Sequence, residues 1–314
     1  MEGENQTSVL EFQLLGLSNA SGMQVLLFAL FVTLYICIVA GNAVIIYLIW
    51  TDYHLQKPMY FFLSNLSFLE ICFTSVIVPK MLQGFLQKLV IISFSGCMVQ
   101  LYIFNSLGTT ECLLLAVMAC DRYFAICDSL HYGSLMNHRA CQWLMAGCWT
   151  GGVLSSLVPN ILISRLPYCG SAEINHFFCD APQLFTLSCT DTSLVQIIIF
   201  AMVSLIAFGS FLLTVVSYVR IISAILKMAS AMKRQKVFST CASHLTVVII
   251  FYGTIGFIHL SPNTNNFQFS KKIAALLYTV ITPLLNPLIY SLRNKEVKCA
   301  LSKALREYMH WLHI

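Results

Sequence analysis

A chain of 314 residues that is 58% hydrophobic and 10% charged departs from soluble proteins, in which about a quarter of residues are charged. A soluble fold of this length could not hide so much apolar surface, so most of it must face lipid. The formal net charge of +5 follows from an asymmetry between the two sides of a membrane and does not point to nucleic acid.

In chain order, the first 23 residues carry no Lys or Arg. The basic start of a cleavable signal peptide is missing, so the first apolar segment is expected to act as the signal itself. Asn5-Gln6-Thr7 is a glycosylation acceptor in this tail. Asn19-Ala20-Ser21 lies too near the first helix to be modified easily, and Asn65-Leu66-Ser67 falls inside the second. Helices are predicted over residues 24–50, 58–80, 97–126, 140–164, 196–226, 237–261 and 271–291. Stretches 140–164, 192–219, 237–270 and 273–292 contain no Asp, Glu, Lys or Arg. About 20 such residues span the hydrocarbon core as a helix. Continuous apolar runs exclude a β-barrel, whose strands alternate. The fold class is therefore an all-α membrane protein, a seven-transmembrane helix bundle. A short amphipathic helix is expected after the seventh span, with Leu301, Ala304, Leu305 and Tyr308 on one face.

With the N-terminus outside, Lys80, Lys88, Arg165, Lys271 and Lys272 lie outside. Lys57, Arg122, Arg139, Arg220, Lys227, Lys233, Arg234, Lys236, Arg293, Lys295, Lys298, Lys303 and Arg306 lie inside. That is the positive-inside bias. The basic loop around Lys227–Lys236 would face anionic lipid.

Of the 13 cysteines, nine (37, 72, 112, 120, 127, 141, 148, 241 and 299) fall in helices or on the inner side, as packing residues. Cys97, Cys169, Cys179 and Cys189 lie outside, and an even number there implies two bridges. Spacing alone leaves three pairings open. A bond from Cys97 to the later loop closes about 80 residues, a constraint of roughly 4–5 kcal/mol. A zinc site from Cys169, His176, Cys179 and Cys189 is the weaker reading. Glu70 and Glu111 are the two carboxylates deep in apolar segments. Burying one costs about 2.5–3.5 kcal/mol, which points to function. A sodium ion or a shared proton would relieve their repulsion; the alternative is a protonated, hydrogen-bonded core Glu.

Four motifs stand in order at the membrane boundaries: Pro58-Met59-Tyr60-Phe61-Phe62-Leu63, Met118-Ala119-Cys120-Asp121-Arg122-Tyr123, Lys236-Val237-Phe238-Ser239-Thr240-Cys241, and Pro283-Leu284-Leu285-Asn286-Pro287-Leu288-Ile289-Tyr290. Together they resemble the odorant receptors, the olfactory branch of the rhodopsin-like G-protein-coupled receptors. The resemblance runs from Gly41-Asn42 to Leu292-Arg293-Asn294-Lys295. Ser217-Tyr218, Ser243-His244-Leu245-Thr246 and the three-cysteine loop belong to the olfactory branch in particular. The chain departs from the pattern at Glu70 (usually Asp), Cys120 (often Tyr), Ser129 (usually Pro) and Gln56-Lys57 (usually His-Thr).

The resemblance implies a receptor domain over 24–292, an extracellular tail over 1–23 and a cytoplasmic tail over 293–314. It implies bridges Cys97–Cys179 and Cys169–Cys189. It implies a G-protein switch built from Asp121, Arg122, Tyr123, Tyr218, Asn286, Pro287 and Tyr290. Pro287 removes a helical hydrogen bond, and a kinked, polar-patched helix has two packings close in energy. The implied ligand-binding residues are Phe104, Asn105, Gly108, Thr109, Cys112, Met202, Val203, Ile206, Tyr252, Ile255, Gly256, His259, Leu276 and Thr279. None is charged at neutral pH, so a small neutral volatile odorant is the expected ligand. The expected partners are a heterotrimeric G protein of the stimulatory, olfactory type, membrane lipids and a trafficking chaperone, in the plasma membrane of sensory cilia. No cofactor is expected beyond the candidate sodium ion. The alternative is a rhodopsin-like receptor for a lipid or metabolite. A transporter would require internal repeats, which are absent from the sequence. No catalytic constellation argues for an enzyme.

Overall fold

The computed structural model describes residues 10–16, 23–87, 89–169, 172–261, 265–293 and 295–312. Asn5 and Lys88 lie outside these residues. Strand β1 (Glu11–Leu14) precedes α1 (Gln24–Thr51). A 3₁₀ turn at Tyr53–Leu55 leads into α2 (Pro58–Leu86), β2 (Val90–Ser93) and α3 (Phe94–Cys127). Then come α4 (Tyr132–Leu135), α5 (His138–Ser164), β3 (Glu173–Ile174), α6 (Ala181–Thr186), α7 (Ser193–Leu226) and α8 (Ala231–Leu260). Finally, α9 (Asn265–Leu276) passes through a π-helical turn, Leu277–Ile281, into α10 (Thr282–Arg293), and α11 (Lys295–Leu312) follows.

Among the described residues six apolar helices are long enough to cross a membrane: Gln24–Thr51, Pro58–Leu86, Phe94–Cys127, His138–Ser164, Ser193–Leu226 and Phe269–Ile289. The shorter apolar stretch His244–Ile258 within α8 makes the seventh. Each corresponds to one predicted span. A helix satisfies every backbone group internally, which hydrocarbon demands. The ends were harder to place than the spans. α2 runs past the predicted end at 80, through Pro79, and Gln100 Nε2 donates to Val76 O beside the break at 3.0 Å. Polar caps set other starts. Asn137 Oδ1 accepts from Ala140 N at 3.0 Å ahead of α5, and Asp191 Oδ1 accepts from Ser193 N at 2.9 Å ahead of α7. The Ser193 hydroxyl, which also donates to Oδ1, and then the backbone N–H hold the Asp191 carboxyl below its ordinary range.

Contacts gather in two units. The first takes the described residues of Met1–Tyr35, Phe73–Thr110 and Trp149–Ala207. Its core packs Phe12, Leu14, Val90, Cys97, Met98, Leu101, Ile163, Tyr168, Ile174, Cys179 and Leu184. A three-stranded sheet of order β2-β1-β3, not anticipated from the sequence, lies against that core. β1 runs antiparallel to β2, with Phe12 opposite Ile92, and parallel to β3, with Gln13 opposite Glu173. Disulfides join Cys97 to Cys179 and Cys169 to Cys189. Tyr168 Oη donates to Ile163 O at 2.7 Å, and burial pushes this hydroxyl's pKa up. Gly152 of α5 is required by close approach: a Cβ there would strike the Thr110 hydroxyl and the Ser106 carbonyl.

The second unit takes the described residues of Ile36–Cys72, Glu111–Cys148 and Phe208–Ile314. One of its clusters packs Ala119, Tyr218, Ile221, Ile225 and Cys241. α11 is anchored by Glu296, which receives Lys57 Nζ at 2.9 and 2.8 Å and Tyr60 Oη at 2.8 Å. α11 buries Val297 and Ala300, while Leu305 of the anticipated apolar face is 55% exposed.

Candidate functional site

Three polar constellations, all in the second unit, hold most of the switch residues and both deep carboxylates singled out from the sequence. The first is at the end of α3. Asp121 is fully buried and shares its two oxygens. Arg122 Nε donates to Oδ2 at 3.0 Å and Nη2 makes a second, shorter bond to the same atom. Tyr132 Oη, from α4, donates to Oδ1 at 2.8 Å. Burial and the adjoining Asp121 carboxylate push the Tyr132 hydroxyl up, so it stays a donor. Buried carboxylates persist only when paired and hydrogen-bonded, and Asp121 has both kinds of partner. Tyr123 packs on the Tyr218 cluster and against Phe124. Tyr218 Oη and His244 Nδ1 share a hydrogen bond of 2.6 Å, with their rings stacked at 5.7 Å.

The second constellation joins α1, α2, α3 and the last span. Asn286 Nδ2 donates to Glu70 Oε1 in a short bond, and Asn42 Nδ2 donates to Pro283 O at 3.2 Å. Tyr278 Oη donates to Glu111 Oε2 at 3.4 Å. The two carboxylates are close enough to interact electrostatically. Glu111 Oε1, Thr279 Oγ1 and Asn286 Oδ1 have no hydrogen-bond partner among the described residues. Such oxygens are the donor type a hard cation takes. Pro287 lies against Gly41, where a Cβ would sit 3.4 Å from its ring.

The third constellation is Cys112, Ser210 and Tyr252. Tyr252 Oη donates to Ser210 Oγ at 2.9 Å, and Cys112 Sγ lies 2.8 Å from the same oxygen. Phe211 stands edge-on to Tyr252 at 5.2 Å.

The implied ligand-binding residues divide between the units. The first holds Phe104, Asn105, Gly108, Thr109, Met202, Val203 and Ile206, all half-buried. There Phe104 packs between Phe73 at 5.1 Å and Phe178 at 4.8 Å. The second holds Cys112, Tyr252, Ile255, Gly256, Leu276 and the buried Thr279. The side chains of His259 and Tyr290, and those of Lys233 and Lys236, lie outside the described residues. Tyr132, Ser210 and Tyr278 were not singled out from the sequence. Tyr132 lies eleven residues after Asp121, but no local pattern says that the loop returns past it. Ser210 and Tyr278 had no local signal, since each matters through residues far away in the chain.

A family model described as "Olfactory receptor" matches residues 31–308. Olfactory receptor 10A7 of Homo sapiens is 48% identical over 97% of this chain and 96% of its own length. Olfactory receptor 6A2 of Homo sapiens is 50% identical over 99% and 96%, and olfactory receptor 1500 of Rattus norvegicus 47% identical over 97% and 98%. Among solved structures, squid rhodopsin superposes with a TM-score of 0.67 over 92% of this chain and 87% of its own, at 18% identity, which shows the seven-helix fold. The chain belongs to the olfactory receptor family, and it is a membrane-spanning receptor of rhodopsin-like fold, not an enzyme.

Proposed function

We propose that this receptor binds a small neutral volatile molecule and activates a stimulatory, olfactory-type G protein, raising cyclic AMP. The observation that carries the coupling is the buried Asp121 shared between Arg122 and Tyr132. In that state the guanidinium is held by its own neighbour. Release of Arg122 presents a cation to the G protein, and rearrangement of Tyr218 and of the span through Asn286 and Pro287 accompanies release. The two arrangements are alternative packings whose balance the ligand shifts by binding one better.

The ligand class rests on side-chain chemistry. The fourteen implied contact residues include no Asp, Glu, Lys or Arg, so no permanently charged side chain there pairs with a charged ligand. The Tyr252 and Ser210 hydroxyls and the Cys112 thiol offer donors and acceptors to an alcohol, aldehyde, ketone or ester. Glu70 and Glu111 would hold a sodium ion, with the unpaired oxygens of Asn286 and Thr279 on the neighbouring span. When bound, the ion supplies positive charge that offsets the two carboxylates. The positive-inside bias supports an N-terminus on the outer side; the proposed location is the plasma membrane of sensory cilia, reached with a trafficking chaperone.

The test is to express the receptor with the olfactory G protein and record cyclic AMP against a panel of neutral volatiles. A dose-dependent rise that Arg122→Ala abolishes at equal surface expression is the expected result. A rise that survives Arg122→Ala would overturn the coupling role. Responses only to charged ligands would overturn the ligand class.

A further inference from the structure

The sheet of the first unit has an unusual source for its middle strand. β2 belongs to the α2–α3 connection and β3 to the long loop between α5 and α7; neither pairs with the other. What joins them is β1, from the segment ahead of α1. On one side Phe94 N donates to Leu10 O at 2.8 Å and the register continues through Glu11–Ser93, Phe12–Ile92, Gln13–Ile91 and Leu14–Val90. On the other side Gln13 N donates to Ala172 O at 2.8 Å and Leu15 N to Ile174 O at 3.0 Å. The side chains alternate as a strand requires. Phe12 and Leu14 are buried at 1% and 3% exposure, whereas Glu11 is exposed. Phe12 meets Tyr168 edge-on at 5.5 Å and lies 6.1 Å from Phe94. The same core holds Cys97 and Cys179, which are bonded to each other.

We propose that the gap between β2 and β3 is a peptide-binding site. Its ligand is an extended segment with apolar side chains at alternate positions, and in this chain the receptor's own residues Glu11–Leu14 fill it. Recognition follows strand addition: backbone bonds to both neighbours give affinity, and two buried pockets, for Phe12 and Leu14, give specificity. An empty site would leave β3, which is two residues long, without a strand partner among the described residues. The N-terminal segment is therefore the element that ties the long loop to the α2–α3 connection. The site stands on the sheet's geometry alone and holds whichever side of the membrane carries it.

The test uses the full-length receptor purified in detergent, where both sides are accessible. Glu11 and Ser93 are opposed without mutual backbone bonds, since the bonds to β2 fall at the even positions. The pair Glu11→Cys with Ser93→Cys should form a disulfide under mild oxidant, read by peptide mass. Leu10→Cys with Ser93→Cys, one residue off and on the opposite face, should stay reduced. Next, a synthetic peptide of residues 9–16 carrying Glu11→Cys is offered to a full-length receptor carrying Phe12→Asp and Ser93→Cys. A covalent adduct should form, at least ~10-fold more than with the same peptide carrying Phe12→Asp, because a buried charge loses the pocket. Gln13→Pro, which removes the N–H given to Ala172, replaces Phe12→Asp in the receptor if that variant cannot be purified. Trypsin cleavage after the exposed Arg165 should be about 10-fold faster in either strand variant than in Leu10→Asp, because local opening exposes the loop. Failure of the Glu11–Ser93 disulfide, equal labelling by the two peptides, or loop cleavage unchanged by the strand variants would each overturn the proposal.

Discussion

Replacing Tyr132 by Phe removes one hydroxyl and little else. The ring stays, so packing around α4 is preserved, but Asp121 Oδ1 loses the donor that stands 2.8 Å away. A hydrogen bond to a charged acceptor contributes about 1.5–3 kcal/mol. If it exists only while Asp121 holds Arg122, losing it shifts the balance toward the released arrangement by roughly 10- to 150-fold. A minor state populated at about 0.1% would rise to about 1–13%. The assay is ligand-free cyclic AMP in cells co-expressing the olfactory G protein, normalised to receptor at the surface. Tyr132→Phe should raise it well above the wild type, and adding Arg122→Ala should cancel the rise. Basal signalling that is unchanged or lower, at matched surface expression, would refute the idea that Tyr132 helps hold the resting arrangement.

Removing both thiols of the Cys97–Cys179 bridge, which spans a separation of 82 residues, frees about 4.5 kcal/mol of unfolded-state entropy. The 20-residue Cys169–Cys189 loop frees about 3.3. Surface expression should therefore fall further in the first double Ser variant than in the second. Gly152→Ala should destabilise the purified receptor by about 1–3 kcal/mol through overpacking. Adding Thr110→Ala should not restore it, since the Ser106 carbonyl remains in the way; Gly147→Ala, where a Cβ meets nothing within 4 Å, should be tolerated. Lys57→Gln breaks an ion pair whose side chains are 55% and 49% exposed, so thermal stability should change by under about 1 kcal/mol.

The spans were legible because hydrocarbon leaves little choice: a charge-free run of some 20 residues must become a helix. The strands were not, because Glu11-Phe12-Gln13-Leu14 is only four residues long and its partners lie about 80 and 160 positions away. Alternation over four residues is a weak signal until the partners are known. In the candidate site, Asp121 and Arg122 could be read as a unit since they are neighbours in sequence. Tyr132 could not, because its bond to Asp121 depends on the direction α4 takes after α3 ends. Ser210 was missed for a similar reason: it joins Cys112 and Tyr252, which are 98 and 42 residues away.

The π-helical turn at Leu277–Ile281 changes how the last span should be read. Its buried residues recur every four positions: Ala274, Tyr278, Thr282 and Asn286, and beside them Ala275, Thr279, Pro283 and Pro287. Four residues of a uniform α-helix advance about 400°, so such a seam would slip sideways by roughly 40° per repeat and about 120° over three. A turn closed by longer-range bonds is wider and takes up part of that slip. The seam therefore stays pointed one way from Ala274 to Pro287. Deleting a single residue from the wide turn would let it close as ordinary α-helix, about 20° from its present facing, and leave Asn286 toward Glu70; closing it with every residue kept would swing Asn286 away by about 120°, although no side chain in the seam had changed.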